Sequence, residues 1–196
     1  MKKKYKRLRY LTIDISLRSD LGIMAVPTFV DLQGFIVEKN FVVKEAAILR
    51  KRSIISHYIF TCPEPWHMLT KSERSQVLWL MKNHHGLSWN DGHVSYWKSK
   101  HLITTAVMGA TDDASLIVYV KGHEKRQWLA DILNDARNDV IIETLDADYD
   151  DVASLNKLDV KNTMRCENHV KNCALQNVFK IYNWCLKHHD SSNPYL

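Results

Sequence analysis

The sequence predicts an α/β domain on a mixed sheet, in which an antiparallel three-strand meander is followed by alternating helices and strands. Three β-type runs succeed one another between Thr28 and Phe60 at hairpin spacing. Helical periodicity then begins near Leu69 and alternates with two short continuous apolar runs, Leu116–Val120 (LIVYV) and Val140–Glu143 (VIIE). Runs without polar alternation suit strands covered on both faces, as in a parallel pair. A length of 196 residues fits one domain, and 45% hydrophobic with 25% charged residues is ordinary for a globular chain.

Taken in order, Arg9 to Leu17 alternates Leu11, Ile13, Ile15 and Leu17 against polar residues, which is strand periodicity. Pro27 opens TFVDLQGFIV, which ends at the polar turn Glu38-Lys39-Asn40; FVVKEAAIL from Phe41 and Ile54–Phe60 (IISHYIF) complete the meander. Thr70 with Glu73 three residues on forms a capping box for a helix reaching Lys82, stopped by Gly86. Further helices are expected over His101–Met108, Glu124–Ala136 and, last, about Arg165 to His188. No internal repeat or long linker interrupts this order, so residues 1–8 read as a basic tail, 9–190 as one domain and 191–196 as a C-terminal tail.

The net charge of +5 is unevenly placed. Lys2, Lys3, Lys4, Lys6, Arg7 and Arg9 crowd the start, and Arg50, Lys51 and Arg52 form a second knot. Such clusters suit phosphate contact or nuclear import, or serve only as a solvated tail. Asp146 to Asp151 (DADYDD) reads as an acidic loop. No apolar stretch approaches a membrane span or a signal-peptide core, so the expected location is intracellular, in nucleus or cytoplasm. Four unevenly spaced cysteines read as thiols or ligands, not a disulfide framework.

Three of those cysteines lie in the expected last helix. Cys166, His169 and Cys173 stand at i, i+3 and i+7, within roughly 60° of one helix face. Thiolate, imidazole and thiolate form a zinc-like set lacking a fourth ligand; the alternative is two small core thiols and a satisfied histidine.

The element order fits the ribonuclease H-like fold. Exonucleases of that fold hold two magnesium ions with an Asp-x-Glu pair on the first strand and His-x-x-x-x-Asp on the last helix. Here the first pair reads Asp31-Leu32-Gln33, and the helix reads Asn172 to Asn177. An amide brings no charge to a metal and takes no proton from water, so the two-magnesium centre reads as lost and no catalytic residue is assigned.

The remaining residues resemble the Maelstrom domain, a ribonuclease H-like module of germline small-RNA transposon silencing. Its carboxylate cluster is replaced by a zinc-binding Glu-Cys-His-Cys set. Val43-Lys44-Glu45-Ala46-Ala47-Ile48 and His57-Tyr58-Ile59-Phe60 are similar to two strands of that family, and Cys166, His169 and Cys173-Ala174-Leu175 to its C-terminal motif. The resemblance implies Glu45 as fourth ligand to a structural zinc. Chemistry is compatible with this: Glu45 interrupts an apolar strand, where an unpaired buried carboxylate costs several kcal/mol. Alternation alone leaves it facing inward or outward at a sheet edge.

The resemblance further implies binding of single-stranded RNA, with weak metal-independent cleavage, and protein partners in a silencing complex. Arg50, Lys51, Arg52, Lys98, Lys100 and Lys121 are the candidate phosphate contacts, and Trp89, Tyr96 and Trp97 the candidate stacking surfaces, each of which could equally serve the core. His84 and His85 suit acid/base work, His93 could join a second metal site, and a structured loop is the alternative. A working nuclease centred on Asp31, with Glu45 and Asp112, and a protein-interaction scaffold are the competing readings.

Overall fold

In a computed structural model, residues 27–109, 116–133, 140–148 and 153–189 are described below. The expected strand over Arg9–Leu17 and the basic residues around it lie outside them, as does Asp112.

The meander forms as the alternation dictates. Strand β1 (Thr28–Val37) pairs antiparallel with β2 (Asn40–Arg50), which pairs antiparallel with β3 (Ile54–Ile59). Both hairpins turn through two residues of positive φ, Glu38-Lys39 and Lys51-Arg52, whose backbone twist matches that of the strands they join. After helix α1 (Lys71–Asn83) and helix α2 (Ser99–Met108), β4 (Leu116–Val120) adds parallel to β1. Helix α3 (His123–Ile132) returns the chain, and β5 (Val140–Thr144) adds parallel to β4. The sheet order is β3-β2-β1-β4-β5. A helical turn, α4 (Leu145–Asp148), and the terminal helix α5 (Ala174–His189) complete the chain.

Alternation decides which residues meet which layer. Val30, Leu32, Ala46, Ile48 and Val118 face one side, where Ile103 and Val107 of α2 and Leu129 of α3 cover them. Phe29, Ala47, Leu49 and Tyr119 face the other side, against Ala174, Leu175, Val178 and Ile181 of α5. Those α5 positions recur at helical spacing and form its apolar stripe. On that same face Phe35 and Val42 extend the packing to Val77 of α1 and to Trp89. Among the described residues no helix is long and apolar enough to cross a membrane.

One irregularity sets up the site. Gln33 pairs with Glu45 but Gly34 pairs with Val43, so Lys44 is an extra residue in β2, a β-bulge. A side chain at Gly34 would sit 2.2 Å from the Val42 carbonyl oxygen, so only glycine admits this approach. Lys44, fully buried, turns its ammonium onto the carbonyl oxygens of Trp89 (2.9 Å) and Asp91 and ties down the loop after α1.

Two expectations need correction. The last helix begins at Ala174, not Arg165. Residue Asn172 has φ 41°, a left-handed conformation that no helix continues through, and the segment before it is a folded loop. Arg165 holds that loop by donating to the carbonyls of His169 and Val170, and Lys171 donates to Lys82 O at 2.8 Å. The acidic run opens as α4 and not as a loop: Asp146 accepts from Lys121 Nζ and from the Gly122 amide (2.7 Å), which fixes the β4–α3 corner. Residues 149–151 of that run are outside the described residues.

Candidate metal centre

Glu45 is a fully buried carboxylate on the β2 face that meets α5. The bulge at Gly34 and the pairing of Glu45 with Ile59 hold it there. Cys173 immediately precedes α5 and accepts the helix's first-turn amide from Asn177 on its carbonyl (2.9 Å). Cys166 and His169 come from the folded loop, so convergence is achieved without a helical face. The sequence spacing was right about proximity and wrong about its cause.

The four side chains meet. One potential ligand atom from each of Glu45, Cys166, His169 and Cys173 lies within 4.8 Å of the other three. Individual separations are 3.5 Å between the two sulfurs, 3.6 Å from Cys173 Sγ to Glu45 Oε1 and 3.1 Å from His169 Nε2 to Glu45 Oε2. A tetrahedral ion with bonds of about 2.0 to 2.3 Å has ligand–ligand edges of roughly 3.3 to 3.8 Å, so these separations fit a shared ion after small adjustments.

The protonation pattern tests that fit. His169 Nδ1 lies 2.5 Å from His85 O and 2.9 Å from Lys171 O, and carbonyls only accept, so Nδ1 carries its hydrogen. Nε2, the nitrogen facing Glu45, has no hydrogen-bond partner of acceptable geometry although a carboxylate oxygen is 3.1 Å away. A neutral imidazole would point a lone pair at a carboxylate there. Without a metal the groups resolve this by sharing protons. Burial opposes the His169 cation, but Cys166 and Glu45 beside it push its pKa up to about 10. Burial likewise opposes the Glu45 anion, yet the His169 imidazolium 3.1 Å away, the His57 hydrogen bond and the Ala174 amide at 2.9 Å hold it down to about 2. Hydrogen bonding between the two thiols drives Cys166 down and Cys173 up, so one sulfur is anionic first. The protons that hold these negative groups together are what a divalent cation would replace.

Neighbours orient the ligands. His57 Nε2 is 2.8 Å from Glu45 Oε1 and fixes the carboxylate from β3. His85 is fully buried, edge-on to Phe35 at 4.9 Å, and burial drops its pKa to about 4, so it stays neutral and offers its carbonyl to His169. His85 is therefore a core residue and no acid/base group at neutral pH. Sequence reasoning gave Lys44 and His57 no role at the site; a lysine inside an apolar strand was the available signal for the first.

Elsewhere the candidates separate. Among the described residues His84, His85, Asp91 and His93 form no metal-ligating group. Trp89 is buried, and its indole donates to Glu64 O at 3.0 Å, so it belongs to the core and not to a stacking surface. Lys121 is buried against Asp146, which removes it from the exposed basic set. Arg50 is half-buried with its guanidinium against Gly109 at the end of α2. Lys51 and Arg52 are exposed at a hairpin tip, Lys98 and Lys100 are exposed at the start of α2, and Trp97 beside them is 79% exposed.

The carboxylate pattern of a two-magnesium centre does not fit these residues. Asp31 is fully buried; its oxygens accept from Lys125 Nζ, from Gln33 Nε2 (2.9 Å) and from Asn177 Nδ2 (2.8 Å). Glu45 belongs to the sulfur-rich centre and not to this cleft.

No family model, curated protein or solved structure matches the chain.

Proposed function

We propose that this chain is a zinc-stapled, catalytically degenerate ribonuclease H-like module, akin to the Maelstrom domain, that binds single-stranded RNA. The observation that carries the reading is the convergence of Glu45, Cys166, His169 and Cys173 on one point between β2 and α5. Two thiolates, an imidazole and a carboxylate favour zinc over magnesium or calcium, which take oxygen ligands. Four protein ligands leave no open position for water, so the ion's chemistry is structural: it would clamp the last helix to the sheet. The meander followed by a parallel pair supports the fold assignment.

RNA binding is supported by exposed cations beside an exposed aromatic. Lys98 and Lys100 follow Trp97 in sequence at the start of α2, and all three are exposed, so phosphate neutralisation and base stacking would act together there. A place in small-RNA or transposon silencing, in nucleus or cytoplasm, follows from the resemblance. The competing scaffold reading draws on α1, whose Leu78 and Trp79 are 51% and 60% exposed.

Elemental analysis of the purified chain tests the metal: about one zinc per chain is expected, lost in Cys166→Ala and Glu45→Ala. A zinc-free wild-type protein would remove the main support for the assignment. Fluorescence anisotropy with a labelled single-stranded RNA tests the partner, and failure to bind at low salt would favour the scaffold.

A further inference from the structure

We infer that Cys166 and Cys173 are an oxidisable pair, which a peroxide converts to a disulfide with release of the zinc they share. The disulfide follows from the placement of the two sulfurs alone. Only the release of zinc rests on the metal reading proposed for the site.

The two sulfurs lie 3.5 Å apart, and the Cys166 amide donates to Cys173 Sγ at 3.4 Å. A disulfide of about 2.05 Å needs a further approach of roughly 1.5 Å. Cys166 can supply that movement, since it belongs to the folded loop and to no helix or strand. Cys173 is seated at the start of α5, its carbonyl bonded to the Asn177 amide. Access also divides the pair. Cys166 is half-buried and Cys173 only 1% exposed, so an oxidant meets Cys166 first. The other two sulfurs are placed elsewhere. Cys62 Sγ accepts from Lys44 Nζ at 3.6 Å. Cys185 is twelve residues along α5 from Cys173, about 18 Å away at roughly 1.5 Å per residue.

The oxidation runs in two steps. The Cys166 thiol attacks one oxygen of hydrogen peroxide, the O–O bond breaks, and Cys166 becomes a sulfenic acid as one water leaves. The Cys173 sulfur then attacks that of Cys166. The S–O bond breaks, and the sulfenic oxygen leaves as a second water with the Cys173 proton. Two electrons pass from the pair of sulfurs to the peroxide.

Disulfide sulfurs carry no charge, so zinc would keep only Glu45 and His169 of its four ligands. Those two form an ion pair of their own at 3.1 Å, and the Ala174 amide still donates to Glu45 at 2.9 Å. Contacts outside the ligand set hold the loop as well: Lys171 donates to Lys82 O and Asn172 to His84 O. Oxidation therefore replaces one staple by another and leaves α5 on the sheet.

The test treats the full wild-type chain with hydrogen peroxide, once after chelation and once loaded with zinc. In the chelated chain, peptide mapping by mass spectrometry is expected to find Cys166 cross-linked to Cys173 with the loss of two hydrogens, reversed by dithiothreitol. In the zinc-loaded chain, a chromophoric chelator is expected to take up one zinc for each disulfide formed, and the thermal transition to stay cooperative. A chelated chain whose two thiols remain unreacted would overturn the inference. So would Cys166 driven to sulfinic acid without a cross-link, or bridged to Cys62 or Cys185. A disulfide that leaves zinc bound, or one that unfolds the chain, counts against it equally. A wild-type chain that takes up no zinc overturns the metal reading instead, and the cross-link in that same chain still decides whether the two sulfurs are a redox pair.

Discussion

At the scale of single residues, His169 carries the most information. In the metal-free protein its imidazolium is stabilised by Glu45 and Cys166, with a pKa raised from 6.5 to about 10. A raised folded-state pKa stabilises fully below the unfolded value and is lost as pH rises through the folded one. Cys166, whose pKa the same cluster lowers, offsets this up to the ordinary thiol value of 9, because the folded chain has shed a proton that the unfolded chain still holds. Chelated protein should therefore keep its thermal stability from pH 6.5 to about 9 and lose it above. A bound ion instead adds stability as pH rises over this range, because its ligands must shed protons to bind it, so metal affinity grows with pH. Melting curves with and without chelator across that window should diverge as pH rises; parallel curves would exclude an ion at His169. His57 offers a second handle, since it fixes Glu45 without joining the ligand set. His57→Ala should weaken metal affinity about 10- to 100-fold, measured by competition with a chromophoric chelator, with the fold retained.

At the scale of elements, the hairpins and the bulge set register. Lys39 occupies a left-handed conformation at φ 67°, which costs a non-glycine residue about 1 kcal/mol. Lys39→Gly should raise stability by roughly that amount in urea titration. Gly34→Ala should do the opposite, at about 3 kcal/mol or more, because its methyl would meet the Val42 carbonyl. These elements also show what the sequence could reveal. The meander was legible because Val30, Leu32, Ala46 and Ile48 alternate with residues facing α5, and the capping box at Thr70 was legible because its chemistry is local. The bulge was not, since the skipped register depends on how Phe41 and Val42 approach a glycine seven or eight positions away. The start of α5 was misplaced for a related reason: Cys166 and His169 carry helical spacing in a loop that Arg165 and Asn172 fold by tertiary contacts with the chain. Spacing constrains neighbours on a helix only where the helix exists.

At the scale of the molecule, the ligand set joins residues 128 apart in sequence, Glu45 and Cys173, and only the resemblance to a family connected them beforehand. Charge and stacking remain separable by experiment. If RNA runs along the start of α2, Lys98 and Lys100 neutralise phosphates and Trp97 stacks on a base. Each phosphate contact on a single strand contributes about −0.7 to the slope of log affinity against log salt. Lys98→Gln/Lys100→Gln should therefore make that slope shallower by about 1.4. Trp97→Ala should lower affinity by about 1 to 3 kcal/mol and leave the slope unchanged, because stacking releases no counterions. Anisotropy titrations at four salt concentrations separate the two effects. A slope altered by Trp97→Ala alone would place the indole against the phosphates, and equal binding by all three proteins would move the RNA surface elsewhere on the chain, with the Lys51-Arg52 hairpin tip the next site to substitute.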